Sequence, residues 1–438
     1  MGGLSAVAAG EAFRPIKVCV IDVERCPDSI SGDPDYCALW ALIRERGRPR
    51  GMVKIPFERD QISRAQLLSV CEALPAQANV APLCRPENVN LPSISVVIPT
   101  MLERVDGLRA CLDSLAALDY PDFEVIVVDN RPAGSPPVEI EGAHVVRATR
   151  PGISAARNRG LQAATGEIVA FTDDDVEVDP AWLLAIGLRF QAHPEEACVT
   201  GLTLPRELQT PAQIAIEQYY GGFGLRTFES VSHRLRDAPG HRHLLSAATV
   251  DAIGEDGRSR KSFSLYAAGS FGHGANMAVR RQALLDLGGF DLALGAGTPT
   301  CGGEDLAMFA RLIWRGHSVG FEPAAVVHHT HRPDDGGLRR QIEGYGVGWG
   351  ALLIALALED PRHLGPMLST VPRGARALTS SYRAKLRSRH SEPTHQSEPR
   401  PQSEPPASSG TSDLARLEMR GIAVSPVRYL RSRRSWSE

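Results

Sequence analysis

From Ile94 to Ile98 every position but Ser95 is β-branched, the mark of a strand buried on both faces of a parallel sheet. The run stops at Pro99-Thr100. Beyond it, Val105, Leu108, Leu112 and Leu115 recur at helical spacing and predict an amphipathic helix. Phe123 to Val128 predicts the next strand, ending at Asp129, and Val145-Val146 a third. Gly152 to Ala164 predicts a helix opened by Ser154 as its cap. Ile168 to Phe171 predicts a short buried strand that runs into Asp173, Asp174 and Asp175. Alternating strands and helices predict an α/β fold, a mostly parallel Rossmann-like sheet flanked by helices. Ligands bind such sheets outside the carboxyl ends of the strands, where Thr100, Asp129 and Asp173 to Asp175 all fall.

The pattern on either side is less regular. Residues 1–90 predict an accessory α/β region, with strands at Ile16–Ile21 and Gly51–Ile55 and a helix over Ala38–Arg46. Residues 91–205 form one half of the central domain and 206–335 the other, with helices and loops expected over 205–250. A helix beginning at Glu304-Asp305 carries Leu306, Phe309, Leu312 and Ile313, and Ala324–Val327 predicts a strand before His328, His329 and His331. Residues 336–387 are read as helical and 413–438 as a basic tail. Between them, 388–412 repeats Ser-Glu-Pro and holds too few apolar residues for a core, predicting a disordered linker.

Composition narrows the function. Over 438 residues, 43% hydrophobic and 23% charged content is that of a soluble globular protein, and a net charge of −3 argues against nucleic acid as partner. The charge is unevenly spread. Pro361 to Glu438 carries fourteen Arg or Lys against six Asp or Glu, so +8, which leaves −11 for the rest. Such a tail is suited equally to solubilising the chain and to peripheral contact with anionic lipid. Eight scattered Cys without a Cys-x-x-Cys pair, and no evident signal peptide, predict a cytoplasmic protein, with membrane association through the tail as the variant of that reading. The apolar run Val347–Leu358 is shorter than the about 20 residues a membrane span needs.

The chemistry lies with the carboxylates. Three consecutive Asp at a strand end repel one another, and a hard divalent cation, Mg²⁺ or Mn²⁺, resolves the repulsion. An Asp-x-Asp-x-Thr phosphatase motif is excluded by Glu177 at the last position, and Met101 to Arg104 is not the Gly-rich loop of a sugar nucleotidyltransferase. Neither a phosphate-binding Gly-x-x-x-x-Gly-Lys loop nor a strand-linked dinucleotide fingerprint occurs.

Ser95 to Thr100, Val127 to Asn130, Gly152 to Gly160, Phe171 to Asp175, and Gly302-Gly303-Glu304-Asp305-Leu306 with Arg311-Leu312 together resemble the family 2 glycosyltransferases of GT-A fold. The likeness spans residues 93–335 in matching order. It implies a UDP-, GDP- or dTDP-sugar donor, an inverting transfer, and a sugar, lipid-linked or small-molecule acceptor. Carried over by position, it implies donor contacts from Pro99, Thr100, Glu103, Asp129, Arg157, Asn158, Asp173 and Asp174. Asp175 and Asp173, joined by one His such as His329, would meet the metal. Gly274 and Asn276 would face the acceptor, and Asp305 would be the general base beside Glu304. An Asp side chain is ionised at neutral pH, as a base must be. Another nucleotide-dependent transferase, or a non-catalytic nucleotide-sugar-binding module, are the rival readings.

Overall fold

The structure, a computed structural model, describes residues 13–435 apart from 34, 59, 76–81, 86–88, 221–226, 237–247 and 370–409. Most of the expected linker at 388–412 therefore lies outside the described residues, as does much of 336–387.

In the N-terminal region, β1 (Ile16–Asp22), β3 (Ala38–Glu45) and β4 (Arg48–Pro56) form a sheet with β3 in the centre. The pair β2 (Ser29–Ser31) and β5 (Gln61–Ser63) leads into α1 (Arg64–Ala73), which opens on a capping box between Ser63 and Gln66. The helix expected over Ala38–Arg46 is thus a strand. A central strand is covered on both sides, so Leu39, Ala41, Leu42 and Ile43 are all buried and the alternation that marks a strand is erased.

The main sheet has eleven strands. At one end of it, β9 (Ile168–Phe171), β6 (Ile94–Thr100), β7 (Phe123–Asp129) and the edge strand β8 (His144–Arg147) run parallel. Side chains of β6 alternate between faces: Val96 and Ile98 pack with α2 (Val105–Ala116), while Val97 packs with α3 (Ile153–Ala163). The short β10 (Val176–Val178) and α4 (Trp182–Ala192) follow, then β11 (Glu196–Pro205) and α5 (Pro211–Tyr220). The expected helices and loops of 205–250 give way in part to β12 (Val231–Leu235) and β13 (Thr249–Gly254), which continue the sheet with β14 (Ser259–Ser264). Antiparallel β15 (Met277–Arg280) lies between β9 and β11. After α6 (Arg281–Asp286) and α7 (Glu304–Trp314), the long β16 (Ser318–His329) runs parallel to β11 and pairs with β10.

Two long helices close the chain, α8 (Asp335–Glu359) and α9 (Gly410–Arg434). By length and composition α8 exceeds the apolar run read from sequence and would suffice to cross a bilayer. Instead it is packed inside the protein. A Cβ on Gly346 would lie 2.1 Å from the Glu418 carbonyl oxygen, and one on Gly350 2.1 Å from Ser425 Oγ. Glycine costs a helix about 1 kcal/mol per site, and here it admits the backbone of α9. Pro426 removes one helical N–H from α9, and Ser425 Oγ donates to the Ile422 carbonyl (2.7 Å) that this would leave without its partner.

Candidate active site

The carboxyl ends of β9, β6 and β7 lie side by side, with Thr100 in register with Asp129 and Val97 with Phe171. The chain leaves each strand there, so the polar residues that follow converge. Thr100 is buried; its Oγ1 donates to Asp174 Oδ2 (2.7 Å) and accepts from the Leu102 N–H (2.9 Å). The adjoining backbone stays tight, with Leu102 at φ 55°. Asp129 accepts from Arg131 Nε and Nη2 (3.0 and 2.9 Å) and from Arg147 Nη1 (3.0 Å). The Arg131 bonds hold its carboxyl below the usual range.

Helix α3 begins at Gly152, not at a Ser154 cap: Ser154 Oγ donates instead to the Leu294 carbonyl (2.7 Å). Three residues read as ligand contacts are occupied within the protein. Asn158 donates to the Phe290 carbonyl (2.9 Å) and accepts from the Phe290 N–H (2.8 Å), stapling α3 to the loop before α7. Buried Asn276 donates to the Leu202 and Ala325 carbonyls (3.1 and 2.8 Å) and accepts from Trp182 Nε1 (2.9 Å), which binds three elements together. Arg157 is 1% exposed, its guanidinium held by two carboxylates. Its Nη1 donates to Glu304 Oε1 (2.8 Å) and its Nη2 to Asp173 Oδ1 (3.2 Å). One guanidinium thus joins the Asp triplet after β9 to the Glu-Asp pair that opens α7. Gly274 permits this packing, since a Cβ there would lie 2.6 Å from the guanidinium.

Strand register separates His329 from His328, and an ion pair sets His331 apart. Val176 pairs with His329, and the Thr330 N–H donates to the Asp175 carbonyl (3.0 Å), which sets His329 Nε2 3.4 Å from Asp175 Oδ1. Burial holds the His329 ring well below its ordinary pKa, in the neutral form a metal requires. His331 instead pairs with Glu217 (2.7 Å), and burial, ahead of the charges of Asp179 and Arg44, holds the His328 ring below its ordinary pKa. Asp173 bonds Arg157. Among the described residues, no three His, Cys, Asp or Glu side chains gather as a ready cage. Asp175 and His329 are a half-built site, which suits ions that complete their shell with water and substrate phosphates. Arg104 now lies against that carboxylate, with its Nη2 3.1 Å from Asp174 Oδ1 and its Nη1 on Asp175. Sequence offered no sign of its role, because Arg104 and the Asp triplet are seventy residues apart. Glu103, beside it, is exposed.

At α7, Gly303 turns the chain with φ 90°, where a Cβ would meet the Gly348 carbonyl at 2.5 Å. Asp305 Oδ2 accepts from the Gly274 N–H (2.6 Å) and Oδ1 from the Leu306 N–H (2.8 Å), so the carboxylate is oriented by backbone on two sides. Glu304 is buried beside it, and that burial, then Asp305, raises its pKa from 4.5 to about 7. The folded protein therefore holds a proton that the unfolded chain releases near 4.5. The resulting stability is full below that pH and is lost as pH rises through about 7. Melting temperature is expected to fall from pH 5 to 8 more steeply in the native protein than in Glu304→Gln, as read by thermal unfolding across that range.

Residues 95–288 match the family described as glycosyl transferase family 2. The pre-mycofactocin glycosyltransferase of Mycobacterium tuberculosis is 30% identical over 322 residues, 71% of this chain and 56% of the relative. The succinoglycan biosynthesis protein ExoM of Rhizobium meliloti is 28% identical over 235 residues, covering 50% of this chain and 62% of the relative. The chain thus spans little more than half the length of these relatives. Among solved structures, a mannosyltransferase from Pyrobaculum calidifontis in complex with GDP-Man and Mn²⁺ aligns with 78% of this chain and 91% of its own, at 17% identity and a TM-score of 0.42.

Proposed function

For a chain whose residues 95–288 belong to glycosyl transferase family 2, we propose transfer of a sugar from a nucleoside-diphosphate donor to an acceptor hydroxyl, with inversion. The observation that carries this reading is the Arg157 bridge, which fixes Asp173 and Glu304 to one guanidinium and so puts the two carboxylate groups in one site. Asp129 would accept from the nucleoside, with Pro99, Thr100 and Asp174 along the same edge. Asp175 and His329 would hold Mg²⁺ or Mn²⁺, which when bound neutralises charge on the diphosphate. Asp305 takes the acceptor's proton while its oxygen bonds to the anomeric carbon. The carbon–oxygen bond to the diphosphate breaks on the opposite face, and its electron pair leaves with the nucleotide. General-base help of this kind contributes about 10²–10⁴-fold.

The test is release of nucleoside diphosphate from a panel of UDP-, GDP- and dTDP-sugars with and without Mn²⁺, followed by NMR of the anomeric configuration. A product that keeps the donor's configuration rules out the direct displacement.

Arg104 makes a separate prediction. Its guanidinium neutralises the carboxylates that a metal ion would use. Arg104→Gln is expected to tighten binding of Mn²⁺ alone by about tenfold, a change of about 1.4 kcal/mol, measured by electron paramagnetic resonance of the free ion. Weaker binding would instead make Arg104 the residue that orients Asp175.

A further inference from the structure

The geometry points to α9 as an interfacial helix that docks this protein on an anionic lipid surface. The face of α9 turned inward carries Leu414, Gly421, Ser425 and Tyr429 against α8, and Tyr429 Oη donates to Asp291 Oδ2 (3.1 Å). The opposite face is unusual. Val427 is 73% exposed, and Met419 and Leu430 are each 48% exposed. With Ala423 they recur at spacings of four, four and three, which gathers them into one stripe along the helix. Of the eleven large hydrophobic side chains exposed among the described residues, five fall in the two closing helices, Trp349 and Leu358 on α8 and Met419, Val427 and Leu430 on α9. Leu358 on α8, itself exposed, lies by Tyr429 and Arg433.

Charge selects the occupant. Arg416, Arg420, Arg431 and Arg434 border the stripe, all of them exposed. From Leu414 to Arg434 the single acidic residue is Glu418, and it accepts from Tyr219 Oη (2.9 Å) on another helix. The pairs Arg416 with Asp413 (3.2 Å) and Arg420 with Glu343 (3.8 Å) are exposed surface contacts of little strength. An apolar stripe bordered by arginines, with Asp413 at the amino end of the helix as the acidic residue beside it, is the composition that lies in the headgroup plane of a bilayer. Arg428 Nη1, on another side of the helix, donates to Cys301 Sγ (3.7 Å), which sets α9 beside the loop that leads into Glu304. This inference stands apart from sugar transfer and survives its failure.

The test is co-sedimentation of the full chain with vesicles of phosphatidylcholine, with and without about 30% phosphatidylglycerol. Removal of the whole tail would strip α8 of its cover, so surface substitutions are used. Arg420→Gln/Arg431→Gln is expected to lower partitioning about 25-fold, roughly fivefold for each charge. Val427→Asp/Leu430→Asp is expected to lower it at least about tenfold, with nucleotide-sugar binding retained. Equal binding to neutral vesicles, or binding that persists in both double variants, overturns the proposal. So does a protein that ignores vesicles but forms a dimer, by light scattering, that Val427→Asp/Leu430→Asp dissolves.

Discussion

Asp305→Asn is expected to lower kcat by about 10²–10⁴-fold while donor affinity changes by less than about twofold. The variant keeps the size and shape of the side chain and removes its basicity. It also exchanges one acceptor oxygen for an amide donor, so either the Gly274 or the Leu306 N–H loses its partner. That loss, with the favourable carboxylate at the α7 amino end, costs about 1 kcal/mol of stability and must be measured separately by thermal unfolding. Single-turnover rates with saturating donor distinguish the outcomes. A fall in kcat with unchanged donor binding assigns Asp305 to proton transfer. Unchanged kcat would move the base elsewhere, and lost donor binding would mean that Asp305 holds the sugar rather than the acceptor.

The sequence exposed the parts of this site that obey period and position. Strands β6, β7 and β9 are β-rich and buried, their ends are polar, and helices α2 and α7 carry regular apolar stripes. What it concealed was direction. Asn158 and Asn276 have the donors and acceptors of ligand contacts, yet their amide N–H groups meet backbone carbonyls 132 and 74 residues away in the chain. No local pattern reveals such a partner. That His329 and not His328 lies beside Asp175 likewise follows from the pairing of β10 with β16, since neighbouring residues of a strand point to opposite faces, while His331, past the end of β16, is held by Glu217. β3 was misread as helical because burial on both faces hides its alternation. The hairpin of β12 to β14 was missed for the reverse reason, as β14 is Ser-Arg-Lys-Ser-Phe-Ser, an edge strand with little apolar signal.

The same hidden partners make Arg157 the residue whose loss should unfold the site. Arg157→Met keeps much of the volume but leaves Asp173 and buried Glu304 without their shared cation, and breaking a buried pair from one side costs about 3–5 kcal/mol. Some contact energy with Phe290, whose ring lies 5.7 Å from the guanidinium carbon, is lost as well. Arg157→Lys retains the charge without the planar fork that reaches two carboxylates at once, and is expected to fall between the native protein and Met. Glu304→Gln in the Met background removes one of the abandoned charges and should restore part of the stability. A double-mutant cycle by urea unfolding measures that coupling. Strictly additive losses would show that Arg157 acts by packing alone, and the bridge between the carboxylates after β9 and those that open α7 would then be an accident of proximity.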